Sequence, residues 1–185
     1  ARAGVVCFHG PMVAQQIARG PSAYDRDSLR NALTRSEPAG LNPAPGARPI
    51  HPCSAEGTLL GGCLSLVNDL VGTPYLSSFD DAIVFLEDEG VKPYQIDRML
   101  TQLRLAGCFK RARGLVFGEM PGCHQHPDQG YRLEELLRDL TAPLGVPVLF
   151  GFPSGHTLSP AQTIPFGVRA RIDPQGLHLL EGAVT

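Results

Sequence analysis

The run Ala82-Ile83-Val84-Phe85-Leu86-Glu87-Asp88-Glu89-Gly90 constrains this chain more than any other stretch. Ile83 to Leu86 form a short apolar block rich in β-favouring side chains, closed by acids and a glycine, which predicts a buried strand. Such a strand carries the carboxylates of Glu87, Asp88 and Glu89 to its C-terminal end. In an α/β sheet that rim is where ligand sites gather. The acids fit two roles there: they end the strand and cap the following helix, or they belong to a site.

The flanking segments favour an α/β domain. Pro93 suits the first turn of a helix running to Ala106, in which Ile96, Met99, Leu100 and Leu103 form one apolar stripe and Gly107 supplies the C-terminal cap. Gly114 to Gly118 reads as the next strand, Arg132 to Leu140 as the next helix and Val146 to Phe150 as a further strand. Ile164 to Ile172 and Leu177 to Leu180 flank Asp173-Pro174-Gln175-Gly176, the pattern of a closing hairpin. Alternating strands and helices that end in antiparallel strands predict a mixed sheet.

The N-terminal third is less dense. Gly4 to Phe8 reads as a buried strand, Met12 to Ala18 as a short helix, and Asp25 caps a helix over Arg26 to Thr34. Ser36 to Gly57 carries Pro38, Pro43, Pro45, Pro49 and Pro52 without periodicity, so it reads as an extended interdomain linker or an edge strand with irregular flanks. That places a domain boundary near residue 55. Cys63 to Leu70 follows Gly61-Gly62 with helical spacing. Ala1 stands where an initiator Met would, and a strand begins almost at once, which reads as the interior of a longer polypeptide.

Bulk properties narrow the function classes. A net charge of -2 without basic runs gives no footprint for nucleic acid, and no apolar run reaches the length of a membrane span. Five scattered cysteines, without a C-x-x-C spacing, fit free thiols in a reducing, cytosolic compartment.

The chemistry concentrates at strand ends. Gly151-Phe152-Pro153-Ser154-Gly155-His156 turns tightly after the Val146 strand and delivers His156 to the same rim as Glu87. A carboxylate that fixes an imidazole tautomer, while the other ring nitrogen takes a nucleophile's proton, is two-thirds of a hydrolytic triad. The nucleophile is missing: there is no G-x-S-x-G, Ser154 lies too close to His156 in sequence, and Ser65 falls inside a helix. Cys7 and Cys63 fall on apolar faces and read as packing residues. Glu119 ends its own strand at the rim and reads as a substrate contact. Cys123-His124-Gln125-His126 is too tightly spaced for a zinc module and, with Pro127 and Asp128, reads as a polar loop. His9 and His51 read as structural, and His178 as a surface residue of the last strand.

Taken in order, Phe8-His9-Gly10-Pro11, Gly61-Gly62-Cys63-Leu64, Gly72-Thr73-Pro74-Tyr75, Phe85-Leu86-Glu87-Asp88, Ile96 to Leu103, Gly151 to His156 and Ile164-Pro165-Phe166-Gly167 resemble the LD-carboxypeptidases, also called muramoyltetrapeptide carboxypeptidases. The resemblance implies a serine peptidase with no cofactor and no metal. Its nucleophile lies in a Gly-Tyr-Ser-Asp elbow of a flavodoxin-like N-terminal domain, and Glu87 and His156 complete the triad from the second domain. Residues 1–35 then match the end of the first domain, 36–56 the interdomain linker and 57–185 the C-terminal domain. The implied reaction releases D-alanine from murein tetrapeptides in cytoplasmic cell-wall recycling, and the implied assembly is a homodimer in which each chain packs against its own N-terminal domain. Cys63 departs from the asparagine usual after the two glycines. The 185 residues alone are expected to be inactive and to expose an apolar patch. Two rivals stand beside this reading: a non-catalytic ligand-binding or interaction domain, and a cysteine hydrolase that requires Cys63 within hydrogen-bond reach of His156.

Overall fold

Four parallel strands and the three helices that join them form the centre of the molecule. The computed structural model describes residues 4–42, 44–76, 78–124 and 130–185. β4 (Ala55–Cys63), β5 (Ala82–Glu87), β6 (Gly114–Gly118) and β7 (Val148–Phe152) lie side by side in that order, with α2 (Leu64–Asp69), α3 (Pro93–Leu105) and α4 (Leu133–Thr141) as crossovers. β9 (Arg169–Asp173) and β10 (Gly176–Leu179) extend the sheet antiparallel beyond β4. β2 (Gly40–Asn42) and β3 (Arg48–His51) complete it at its two opposite edges. β1 (Cys7–His9) and β8 (Ile164–Phe166) pair separately, and α1 (Arg26–Thr34) starts on the Asp25 side chain, which accepts the Asp27 and Ser28 N–H groups.

The sheet is curled. Six Cα steps from Asn42 to Arg48 reach at most about 20 Å, whereas the seven inter-strand gaps of a flat sheet would separate its edges by about 34 Å. The segment read as a linker or an edge strand therefore supplies both edge strands, and the two edges lie close together.

Strand alternation divides the core in two. Val84 and Leu86 of β5 join Leu64, Ile96, Leu103 and Leu137 on the helical side. Ile83 and Phe85 join Leu59, Val116, Phe152 and Ile172 inside the curl. Each of these strand residues in β5 is fully buried, worth about 1.5–3 kcal/mol apiece. By the same period of two, Glu87 follows Ile83 and Phe85 to the inner side.

Several expectations change. β1 is exposed at Cys7 and Phe8 rather than buried, because it pairs only with β8. The nine-residue β4, absent from the sequence reading, is a central strand, and helix α2 starts only at Leu64. The last parallel strand runs to Phe152, so the tight loop begins at Pro153. Gly167, at φ 101°, breaks the expected Ile164 to Ile172 strand into β8 and β9.

Candidate active site

Glu87 ends β5 and is 1% exposed. Two glycines make its room. A Cβ at Gly118 of β6 would lie 2.7 Å from the Glu87 Cβ, and one at Gly155 would lie 2.5 Å from its Cδ and 2.6 Å from its Oε2. Gly155 also holds φ 75°, a left-handed turn that aims the next residue back at the carboxylate.

That next residue is His156. Glu87 Oε2 accepts its backbone N–H at 2.8 Å and stands 2.8 Å from its Nδ1. An ionised carboxylate only accepts, so Nδ1 carries a proton, and in the neutral ring Nε2 keeps its lone pair. Nε2 in turn stands 3.7 Å from the Oε2 of the half-exposed Glu89. The structure thus brings together the two residues expected at the rim.

The three acids divide their tasks. Asp88 Oδ2 accepts the Ser65 N–H at 2.9 Å and the Ser65 hydroxyl, and Oδ1 accepts the Glu89 N–H at 2.9 Å. Asp88 therefore caps the preceding helix α2, not the following one.

His9, expected to be an isolated structural residue, reaches the site. Its Nε2 is 3.8 Å from Glu87 Oε1, and its ring lies 5.4 Å from Phe85 and 5.5 Å from Phe166. Burial pushes its pKa down, Glu87 pulls it up and His156 pushes it down again, leaving it below the ordinary histidine value. The motif Phe8-His9-Gly10-Pro11 was the signal in the sequence. The 77 residues between His9 and Glu87 hid the contact.

Two nucleophile candidates within the chain are poorly suited to the role. Ser154 is fully buried and its Oγ donates to the Gln162 carbonyl at 2.8 Å. The Cys63 thiol is pushed up by burial and by the Asp88 and Glu87 carboxylates, against a smaller pull from the Leu66 and Ser65 amides. A nucleophilic cysteine needs the reverse.

Glu119 does double service. It lines a cleft of about 820 Å³ with Arg48, His124, Tyr131 and Phe150, yet its Oε2 accepts the Leu158 N–H at 2.7 Å and the Ser159 N–H at 3.1 Å. Its carboxylate thereby holds the loop that leaves His156.

The remaining polar candidates are accounted for locally. The Cys123 thiol donates to the Asp88 carbonyl at 3.6 Å, and burial pushes its pKa to about 11. Gln125, His126, Pro127 and Asp128 lie outside the described residues. Among the described residues, no group of three or more His, Cys, Asp or Glu side chains is placed to hold a metal. All five cysteines are free thiols. His51 faces Thr141 Oγ1 at 3.2 Å. His178 is buried rather than superficial, 2.9 Å from Asp173 Oδ2, because the hairpin folds its strand into the sheet.

Fold and pair define a class: a mixed α/β domain that presents a carboxylate-oriented imidazole at the rim of a parallel sheet. Residues 56–172 match the family of LD-carboxypeptidase C-terminal domains, and the chain belongs to that family. It is 33% identical over 172 residues to a probable murein peptide carboxypeptidase of Bacillus subtilis, covering 92% of this chain and 54% of that protein. A putative carboxypeptidase of Streptomyces coelicolor is 38% identical over 173 residues, 93% of this chain and 54% of its own length. The chain therefore spans about half the length of the curated relatives it matches. The crystal structure of muramoyltetrapeptide carboxypeptidase from Oxalobacter formigenes superposes with a TM-score of 0.78 at 31% identity, over 97% of this chain and 63% of that one. The microcin C7 self-immunity protein MccF in complex with aspartyl sulfamoyl adenosine shares the fold, with a TM-score of 0.86 at 21% identity, over 100% of this chain and 63% of that one.

Proposed function

We propose that this chain is the glutamate- and histidine-bearing part of a serine-type LD-carboxypeptidase that releases D-alanine from murein tetrapeptides. The observation that carries the reading is Glu87 Oε2 at 2.8 Å from both the backbone N–H and the Nδ1 of His156, which in the neutral ring puts the proton on Nδ1 and the lone pair on Nε2. The similarity to murein peptide carboxypeptidases supports the substrate class.

The serine comes from outside residues 1–185. Its Oγ attacks the carbonyl carbon of the L-diamino acid residue while His156 Nε2 takes the hydroxyl proton. Glu87 stabilises the imidazolium that forms. The C–N bond then breaks, D-alanine leaves with the proton from Nε2, and the acyl group stays on the serine. His156 next deprotonates a water, which hydrolyses the ester and restores the serine. Residues 4–35 pack, on this reading, with the serine-bearing part of the protein. Exposed Val5, Met12 and Val13 support that contact, since apolar side chains so placed suit a covered surface. Cell-wall recycling in the cytoplasm and a homodimeric assembly complete the reading.

The test is D-alanine release from murein tetrapeptide by the complete protein and by folded Glu87→Ala and His156→Ala variants. Activity that falls by several orders of magnitude in each variant supports the reading. An inert complete protein favours a non-catalytic binding domain instead. Activity untouched by both substitutions removes the triad assignment.

A further inference from the structure

Among the described residues, the hydrogen bonds to Glu87 fall on one oxygen. Oε2 serves His156, whereas the contact on Oε1 is the His9 Nε2 at 3.8 Å. A carboxylate whose side chain is 2% exposed needs donors at both oxygens to remain ionised at low cost. The His9 Nε2 atom is itself buried and has no hydrogen-bond partner among the described residues. An acceptor short of a donor and a nitrogen short of a partner thus face each other, less than 1 Å beyond hydrogen-bonding distance.

The surroundings fix which form of His9 stands there. β1 pairs antiparallel with β8 so that His9 lies opposite Ile164, and the ring is held between Phe85 and Phe166. Gln16 reinforces the placement, accepting the Met12 N–H at 2.9 Å and donating to the Gly155 carbonyl at 3.4 Å. Burial and the neighbouring His156 outweigh Glu87 and hold the His9 pKa below its ordinary value, which favours the neutral ring at pH 7. A neutral ring offers one donor without adding positive charge beside the imidazolium that forms on His156.

We propose that His9 is a positioning residue for the Glu87–His156 pair, donating from a neutral Nε2–H to Glu87 Oε1 and fixing the carboxylate's rotation. Glu87 is then bracketed by two imidazoles with different tasks: one moves protons, the other holds the carboxylate still. The kinetic part of this inference rests on the carboxypeptidase reading. The contact itself does not.

The experiment has two arms, both on the complete protein. Imidazole ¹⁵N NMR at pH 7 should show His9 as the neutral Nε2–H tautomer, with a proton resonance that shifts in Glu87→Gln. In D-alanine release, His9→Phe should lower kcat about 10- to 100-fold with KM nearly unchanged. His9→Gln, whose amide donates from a similar place, should recover most of that loss. An Nδ1–H tautomer at His9 overturns the proposal, as does wild-type kcat in His9→Phe. Equal losses of kcat and Tm in the Phe and Gln variants assign His9 to packing alone and overturn it too. If the unmutated protein releases no D-alanine, the carboxypeptidase reading fails, and the NMR arm alone decides the His9–Glu87 contact.

Discussion

Glu87 and His156, 69 residues apart, are joined twice through one carboxylate oxygen, to the backbone N–H and to Nδ1, each at 2.8 Å. The backbone contact fixes where the loop starts, and the ring contact fixes which tautomer it presents. Position and tautomer are thus set by the same atom.

Glu87→Gln tests that coupling. An amide keeps the size of the side chain but offers a donor as well as an acceptor, so the imidazole loses its enforced tautomer. Turnover by the complete protein is expected to fall by about 10⁴-fold. Steady-state kinetics with a matched denaturation curve separates this from unfolding.

Gly155→Ala should disturb the same pair from the other side. The new Cβ would meet the Glu87 carboxylate at 2.5–2.6 Å and force a side chain into φ 75°. A loss of about 1–3 kcal/mol is expected by urea titration. Gly61→Ala should be worse, since its Cβ overlaps the Phe85 carbonyl of the neighbouring strand at φ 144°. Soluble, wild-type-stable Gly61→Ala protein would refute this account of β4.

The loop after His156 should loosen in acid. Burial pushes the Glu119 carboxyl up, but hydrogen bonds from the Ser159 and Thr157 hydroxyls and the Ser159 and Leu158 N–H groups outweigh it, so its pKa lies below the ordinary 4.5. The unfolded chain then takes up this proton first as pH falls. Its stabilising contribution is complete above about 4.5 and is lost as pH drops through the lower folded value. Glu119→Gln should flatten stability against pH in that window, read by denaturation between about pH 3 and 6. An unchanged acid slope would count against the latch.

Cys63 stands at the N-cap of α2 without a side-chain cap hydrogen bond. Because Asp88 already takes the Ser65 N–H, Cys63→Asn should change stability by less than about 0.5 kcal/mol, read by urea titration. The raised thiol pKa also predicts slow alkylation of Cys63 at neutral pH, behind the exposed Cys7 and Cys53. Fast, selective alkylation of Cys63 would restore the cysteine-hydrolase reading.

Much of the framework was legible. α3 was visible because Ile96, Leu100 and Leu103 repeat at helical spacing and are buried in the core. β5 was visible because four consecutive apolar residues have both faces covered. β4 was hidden by Gly57, Gly61 and Gly62, residues that weaken a strand by propensity. The glycine at 61 answers to the neighbouring strand's backbone, which local sequence does not display.

The sequence by itself determined most of the elements and put Glu87 and His156 at strand ends, because periodicity, turn chemistry and strand ends are local properties of the chain. Only the tertiary structure decided how the sheet curls, that a proline-rich segment supplies both its edges, and that His9 reaches Glu87. Those outcomes depend on the packing of residues far apart in sequence, where distance along the chain carries no information about distance in space.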